Sequence, residues 1–451
     1  MRAIGSESQL PAYPASELSR MLTLTFWAVI LTLLLATVFF GGTPVLILAL
    51  AVGLAVVAWV RPQEAPAAGM LYLFACNIVL PSSARFDGVP TTWELVYWAS
   101  GLLMITSAAC CRIGIRRVFS VPVSAKVFLL VAFVAALYGR VHGATASYVA
   151  RQFYGVLLLV IYMGISIHAG SLPLLVQRIR TFGVLCAALF YIYFLAEFSE
   201  RGFHREQTTM GSQAAMMAIL LIILGLERRR TSWLIGAVAL ILAPALIFQR
   251  RDILTFVLAL PLALGVSLKS KVLSLACWAV VGFLVLPGLL PPVAQSFGGW
   301  LEQMPYIGRI LPEQAEDSDT LLERTLQLGA AVSTVQAHPW LGAGLGGDIE
   351  WVSPEEGLFQ GAYVDNGWAY LLQKMGLVGA AAFIWFLVPV VRSFSRESLA
   401  LSVCLASILL VTMFSEPVFF HFTTAPFVGT MMGLLLQKKY FSETAGLGAS
   451  N

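Results

Sequence analysis

The sequence predicts an all-α integral membrane protein, and its composition, apolar runs and basic residues all favour that fold class. Apolar residues make up 59% of the chain and charged residues only 12%, roughly half the charged content of a soluble domain. Apolar runs recur along the whole length, and about 20 such residues cross a bilayer. Because a spanning segment must satisfy its own backbone hydrogen bonds, each run is expected to be a helix.

The apolar runs predict about 12–14 transmembrane helices. They fall at residues 21–40, 44–60, 67–81, 93–111, 121–138, 152–168, 178–198, 212–226, 232–248, 251–268, 271–290, 367–391, 398–415 and 421–437. The run 67–81 is short for a span and 421–437 contains Pro426, so these two set the lower limit of the count. One large polar loop, 291–366, separates the eleventh run from the twelfth.

The basic residues predict the orientation, because cytoplasmic loops retain lysine and arginine. With the N-terminus inside, most of the 28 lysines and arginines lie on the cytoplasmic face, and the large loop lies outside. The expected organisation is a cytoplasmic tail, a helical domain, the external loop with short helices, C-terminal helices and a second cytoplasmic tail. Their boundaries are 1–20, 21–290, 291–366, 367–437 and 438–451.

The sequence contains no sign of a cofactor, metal or nucleic acid. The six cysteines fall in or at the ends of apolar runs without a C-x-x-C pair, so neither a disulfide framework nor a metal site is indicated. The chain has no P-loop, so nucleotide binding of that kind is not implied.

Several arginines break the charge rule on the outer side and are candidate ligands for an anion. Arg201 and Arg205 lie in one outward loop, and Arg250 and Arg251 lie at a tight outward turn between two spans. Arginine near the membrane is costly, and its guanidinium suits a phosphate. The alternative is structural: these side chains can extend to lipid headgroups, and Arg251 can pair with Asp252.

The outer loop contains a predicted helix followed by a glycine-rich turn. Thr320 and Glu323 have the spacing of a capping box, which predicts a helix from there to about Ala337, with Leu321, Leu328, Val332 and Val335 on one apolar stripe. Pro339 ends it, and Gly342, Gly344, Gly346 and Gly347 permit tight turns or close approach of a ligand. Asp365 and Asn366 then precede the next span, where either residue could cap the helix.

These motifs resemble the O-antigen ligase and polymerase superfamily of bacterial envelope enzymes. Arg324 is followed by a helix and HPWLGAGLGG (338–347). The segment DNGWAYLLQKMGLVG (365–379) is similar to the family pattern H-N-x-Y-L-x-x-L-x-x-x-G-x-x-G, and QRRDIL (249–254) is similar to its S-R-G turn, matching at Arg250. The motifs cover about residues 200–380.

The resemblance implies an inverting, metal-independent glycosyltransferase of the bacterial inner membrane. Its donor would be an oligosaccharide on undecaprenyl diphosphate, held on the outer face among membrane lipids, and its acceptor a growing polysaccharide. A flippase and a chain-length regulator are the protein partners implied. Arg250, Arg205, Arg324, Arg251 and Arg201 would hold the diphosphate, and Asp365 or His338 would act as the base. Helix capping and local hydrogen bonding are the corresponding structural explanations for Asp365 and His338.

The chain departs from the family at one position that bears on the reaction. Asp365 stands where the ligases carry histidine, and Gly367 and Trp368 also depart from the pattern. The aspartate at 365 favours a polymerase of lipid-linked repeats, building an O-antigen, capsule or exopolysaccharide, over a ligase that passes finished glycan to lipid or protein. A flippase or other transporter is the alternative from another class, and it would concentrate polar groups at the midplane of internal repeats.

Overall fold

The structure is a computed structural model, and it describes residues 44–79, 92–183, 185, 188, 210–228, 230–246, 315–353, 357–361, 366–395, 398–410, 413 and 419–448. The helices in these ranges are α1 (Pro44–Val60), α2 (Ala65–Val79), α3 (Thr92–Ile113), α4 (Ile115–Val118), α5 (Val123–Val141), α6 (Ala146–Ala169), α7 (Leu172–Arg178), α8 (Met210–Glu227), α9 (Thr231–Leu246), α10 (Ala315–Ala337), α11 (Gly367–Arg392), α12 (Leu399–Leu410) and α13 (Ala425–Gly448). A 3₁₀ turn, Pro62–Glu64, precedes α2, and a π-helical turn, Ile179–Gly183, continues α7.

The all-α membrane fold is confirmed. Among the described residues, α5, α6 and α11 are long and apolar enough to cross a membrane, and five shorter apolar helices accompany them. Helices coincide with the predicted runs wherever the structure describes them, although 178–198 is followed only as far as Gly183 as a continuous element. The runs 21–40, 251–268 and 271–290 lie outside the described residues, so the number of spans stays a prediction.

A short β-hairpin was not predicted. Strand β1 (Ile349–Ser353) pairs antiparallel with β2 (Gly357–Gly361) in the polar loop, with Ile349 opposite Gly361. The first strand carries Ile349, Trp351 and Val352, and β-branched and aromatic residues favour extended backbone. The segment is too short and too polar to compete with the apolar runs that indicated helices.

The helices α5 and α11 each present one apolar face outward. On α5 the exposed residues Leu130, Phe133, Val134, Leu137 and Val141 share a helical stripe. On α11 the exposed residues are Leu377, Val378, Ile384, Trp385 and Val391. Large apolar patches of this kind are rare on soluble proteins, and the two stripes are expected to face lipid.

The buried core between α5 and α11 is aromatic. Phe128 of α5 stacks on Phe386 of α11 at 5.2 Å between ring centroids and lies 5.4 Å from Phe383. Phe419, from the segment before α13, meets Phe383 edge-on at 5.1 Å. Aromatic pairs in these arrangements stabilise a core by about 0.5–1.5 kcal/mol each beyond the contribution of their buried area. These contacts pack α5, α11 and the segment before α13 together next to the polar loop.

Contacts between helix ends define two ends of the bundle. At one end, Ser120 Oγ lies 2.7 Å from His168 Nε2, Arg178 forms an ion pair with the buried Glu64 at 2.7 Å, and Gln437 donates to the Gly170 carbonyl at 2.9 Å. We call this the basic end, because it also includes α4, which contains Arg116 and Arg117. The opposite end, where α5 meets α6 and the polar loop enters, is called the loop end.

The predicted topology agrees with this grouping, since each residue of the basic end comes from a segment that the charge rule places inside. We expect reporter fusions at Ser318 and at Arg229 to report opposite sides of the membrane, with Ser318 outside. Fusions after Arg61 and after Arg112 serve as controls and should report the same side as Arg229. A Ser318 fusion that reports the same side as Arg229 would contradict the orientation.

Candidate functional site at the loop end

The structure describes only part of the predicted site. Arg201, Arg205, Arg250, Arg251 and Asp365 lie outside the described residues. Arg324 lies in α10, which packs against α11 and β1. His338 is exposed and immediately follows α10, and its backbone N–H donates to the Thr334 carbonyl at 2.9 Å. The roles assigned to these residues therefore stay proposals.

One boundary of the predicted loop helix is wrong. Helix α10 begins at Ala315 rather than at Thr320, although it ends at Ala337 as predicted. The residues before Thr320 are Glu316, Asp317, Ser318 and Asp319, and acidic residues stabilise the first turns of a helix through its dipole. Thr320 and Glu323 are consequently interior to the helix and do not form its N-terminal cap.

The predicted apolar stripe of α10 is not its buried face. Leu328 and Val332 are 43% and 49% exposed, whereas Ala331 is buried and Leu326 and Ala330 pack against the core. Small residues on the buried face let α10 approach its neighbours closely, which leaves larger side chains outside. The apolar residues repeat with the period of a helix, but the larger ones do not mark its buried face.

The glycine-rich turn, residues 338–347, is inserted into a break in α11. Gly376 has φ +61° and interrupts the helix. Beyond it, Leu377 N–H donates to the Pro339 carbonyl at 2.8 Å and Val378 N–H to the Trp340 carbonyl at 3.2 Å. The Gln373 carbonyl, released by the same break, accepts from Ala343 N–H at 2.7 Å. The turn thus takes over hydrogen bonds that an unbroken helix would make within itself.

The same turn also bonds to α5 and α6. Leu345 N–H donates to the Ala135 carbonyl of α5 at 3.0 Å, and Gly346 N–H donates to Gln152 Oε1 of α6 at 2.6 Å. Irregular backbone at membrane depth is tolerated only where it is buried in protein and its polar groups are satisfied. These bonds meet that condition, so the two sequence motifs form one interlocked unit at the loop end.

Glycine is required where the turn crosses α5. Gly344 has φ +82°, and a side chain there would overlap the backbone of Gly139. We expect Gly344→Ala to prevent stable folding, because steric overlap adds to a left-handed backbone penalty of about 1–2 kcal/mol. Thermal unfolding of the detergent-solubilised protein, followed by size-exclusion chromatography, measures the effect.

Two matched glycines separate the causes. Gly143 has φ +92° with open space around it, so Gly143→Ala should show the backbone penalty alone. Gly329, inside α10, also has open space and no unusual φ, and Ala there should stabilise the helix by about 0.5–1 kcal/mol. Equal losses for Gly344→Ala and Gly143→Ala would show that the crossing with Gly139 contributes nothing.

A buried lysine fixes the end of the turn. Lys374, on α11, is fully buried, donates from Nζ to the Gly347 carbonyl, and lies 5.7 Å from the ring centroid of Tyr370. Asp348, the next residue after Gly347, interacts with it electrostatically. Sequence reasoning did not select Lys374, although a lysine inside an apolar span that the charge rule does not explain is a usable signal.

A second cation at the loop end was also missed. Arg151 Nη2 of α6 lies 3.4 Å from Nε2 of the buried His421, and its guanidinium carbon lies 5.6 Å from the ring centroid of Phe422. His421 Nδ1 lies 2.6 Å from Thr423 Oγ1. A guanidinium can only donate, so this geometry requires Nε2 to accept and Nδ1 to donate to Thr423. Arg151 also breaks the charge rule, which could have identified it.

The cap of α11 is Asn366. Its Oδ1 accepts from the backbone N–H groups of Trp368 and Ala369, both at 3.0 Å. An N-cap with both bonds satisfies two of the donors left open at a helix start. Of the two residues that could have capped this helix, Asn366 does so, and the cap does not need the Asp365 carboxylate.

Comparison with known families supports the resemblance. Residues 215–384 match the family described as O-antigen ligase. This segment is similar to that family. It includes α10, the glycine-rich turn and α11 through its break, so the interlocked unit lies within the family domain. The family consists of membrane enzymes that transfer glycans, and the predicted superfamily is confirmed. No curated protein matches the chain.

Proposed function

We propose that this protein polymerises oligosaccharide repeat units carried on undecaprenyl diphosphate, at the outer face of the bacterial inner membrane. The interlock at the loop end carries the proposal. It brings together three segments that contain or adjoin predicted site residues: α10 with Arg324, the turn that begins at His338, and the start of α11 next to Asp365.

The chemistry of the transfer fits this arrangement of groups. Breaking the bond between sugar and diphosphate leaves negative charge on the diphosphate, and fixed cations directed at that charge stabilise the transition state. Arg250, Arg205 and Arg324, with Arg251 and Arg201 beside them, are proposed to supply those cations. The acceptor hydroxyl loses its proton as it attacks the sugar carbon, and Asp365 or His338 is proposed to receive it.

The broken helix does not favour a transporter. In many transporters a discontinuous helix presents its free backbone groups to a substrate near the midplane. In α11 the N–H groups of Leu377 and Val378 and the carbonyl of Gln373 are instead occupied by the glycine-rich turn. The break therefore holds the polar loop in place, and these three backbone groups are not presented to a substrate.

Ligase activity is the second candidate, because the matching family is described as O-antigen ligase. The two reactions share a donor and differ in the acceptor. A polymerase uses a second lipid-linked chain, whereas a ligase needs a separate lipid or protein acceptor. Asp365, in place of the ligase histidine, supports the polymerase.

An assay with purified protein tests the proposal. Lipid-linked repeat units extracted from cells that lack this chain would be incubated with the protein in liposomes, with and without an added lipid or protein acceptor. A ladder of polymers from the donor alone is the result expected for a polymerase. Product that forms only with added acceptor would support the ligase, and no product in either case would contradict glycan transfer.

A further inference from the structure

Two buried polar side chains hold neighbouring residues of the glycine-rich turn from two different helices. Gln152 of α6, 1% exposed, accepts from Gly346 N–H at 2.6 Å, and Lys374 of α11, 0% exposed, donates to the Gly347 carbonyl. We call this pair of contacts the 346–347 clamp. It lies where the chain leaves the interlock and continues into Asp348 and strand β1.

The turn is already anchored without the clamp. Backbone bonds already attach residues 339–345 to α5 and α11. An ammonium group inside a membrane helix is costly, and a buried ion pair can often be replaced as a whole by apolar side chains without loss of stability. A lysine that only filled space at this position would be a poor choice, so its specific contact needs another explanation.

The position of the clamp supplies one. Lys374 lies on the helix that begins beside Asp365, and the turn that it holds begins at His338. The clamp therefore connects the two segments that adjoin or contain the candidate proton acceptors, namely α11 beside Asp365 and the turn that begins at His338. Asp348, which follows the clamped residues, interacts electrostatically with the Lys374 side chain, so Lys374 acts on both the turn and the residue that leaves it.

We propose that Lys374 and Gln152 are positioning residues for glycan transfer. They fix the exit of the glycine-rich turn relative to α6 and α11 and so hold the acceptor-side groups in line with the lipid-linked donor. This inference rests on the proposed function. Misplacing reacting groups by about 1 Å can cost on the order of 100-fold in rate, so contacts remote from the reacting atoms can control it.

Variants of Lys374 separate positioning from folding. Lys374→Met keeps the length of the side chain and removes its donors. We expect kcat to fall about 10- to 100-fold, with KM for the lipid-linked donor changed less than about twofold because the donor is held elsewhere. The thermal midpoint should fall, since the Gly347 carbonyl loses a buried donor, and kcat is therefore measured on the folded fraction. Lys374→Arg, which still donates, should recover part of kcat.

A matched control lies at the basic end. Gln437 donates to the Gly170 carbonyl at 2.9 Å, a contact of the same kind remote from the turn, and Gln437→Leu should leave kcat unchanged. Gln152→Leu should reproduce the fall in kcat if Lys374→Met fails to fold. A lowered thermal midpoint with normal kcat for the folded fraction of the Lys374 and Gln152 variants would overturn the proposal.

A second measurement does not depend on activity. Spin labels at the exposed positions Glu350 and Ser147, in a background without reactive cysteines, would report the distance between the hairpin and α6. We expect a broader distance distribution in Lys374→Met than in the parent protein. An unchanged distribution would overturn the clamp even if the parent transfers glycan, whereas a parent without transfer activity but with a broadened variant would contradict only the proposed function.

Discussion

Replacing Arg250 by alanine is expected to abolish polymer while the amount of protein in the membrane stays normal. The guanidinium is proposed to bind the donor diphosphate, and losing a charge-assisted contact at a developing charge removes transition-state stabilisation. Lysine at this position should restore only part of the activity, because it keeps the charge and loses the two-pronged hydrogen bonding. Polymer from complemented cells, separated on a gel, measures the effect beside an immunoblot for the protein.

Arg140 provides the matched control for Arg250. It is another arginine that the charge rule places outside, it is exposed at the loop end, and its Nη1 donates to the Ala144 carbonyl at 3.2 Å. Arg140→Ala should leave polymer unchanged if the effect is specific to the diphosphate site. Normal polymer from Arg250→Ala would contradict the role of Arg250, and loss of the protein itself would indicate a structural one.

Asp365→Asn and Asn366→Ala are expected to have opposite effects, because the structure assigns the helix cap to Asn366. Asn366→Ala removes two hydrogen bonds to the first turn of α11 and should lower stability by about 1 kcal/mol, with a smaller effect on transfer than Asp365→Asn. Asp365→Asn leaves that cap intact and cannot accept a proton, so it should eliminate transfer without lowering stability.

Measurements of donor binding and of thermal unfolding separate a catalytic role of Asp365 from a structural one. The Asp365→Asn protein should still bind the lipid-linked donor, measured by retention of radiolabelled donor, and should unfold at the temperature of the parent. His338→Ala provides a comparison for the other candidate base. Normal polymer length and yield from Asp365→Asn would exclude a base at 365 and leave His338 as the candidate.

Local sequence signals predicted the helices well. The runs 44–60 and 367–391 match α1 and α11 almost to the residue, because hydrophobic length is a property of the segment alone. The end of α10 at Ala337 was also predictable, because Pro339 has no backbone N–H to donate and its ring clashes with the preceding helical turn. Each of these signals acts within one segment and needs no knowledge of the neighbouring helices.

Features that depend on contacts between distant segments were not predictable. The glycines of the turn indicated tight turns or a nearby ligand, but nothing in the spacing of Gly344 and Gly376 indicates that one motif is inserted into a break in the other. The start of α10 was misplaced because a capping-box spacing at Thr320 also occurs inside a helix. Its buried face was not predictable from the apolar stripe, because a small residue, Ala331, occupies that face.

Part of the candidate site was predicted from the placement of charged residues along the sequence. Charge placement selected the outer arginines, and the same rule left Arg151 and Lys374 unexplained without assigning them a role. Only the structure shows that Lys374 contacts the Gly347 carbonyl and that Arg151 lies beside His421. Exceptions to the charge rule are thus informative in the sequence and in the structure. The groups that these residues contact, however, are determined by tertiary packing.

The central claim is that glycan transfer takes place at the loop end, and photo-crosslinking tests it most directly. The probe is an undecaprenyl-diphosphate-linked sugar that carries a diazirine, added to the protein in liposomes, with labelled peptides identified by mass spectrometry. We predict labelling within 338–348 and 366–376, reduced in Arg250→Ala, and no labelling of the basic end at 112–122. Labelling confined to the basic end, or equal labelling in the Arg250→Ala protein, would contradict the account.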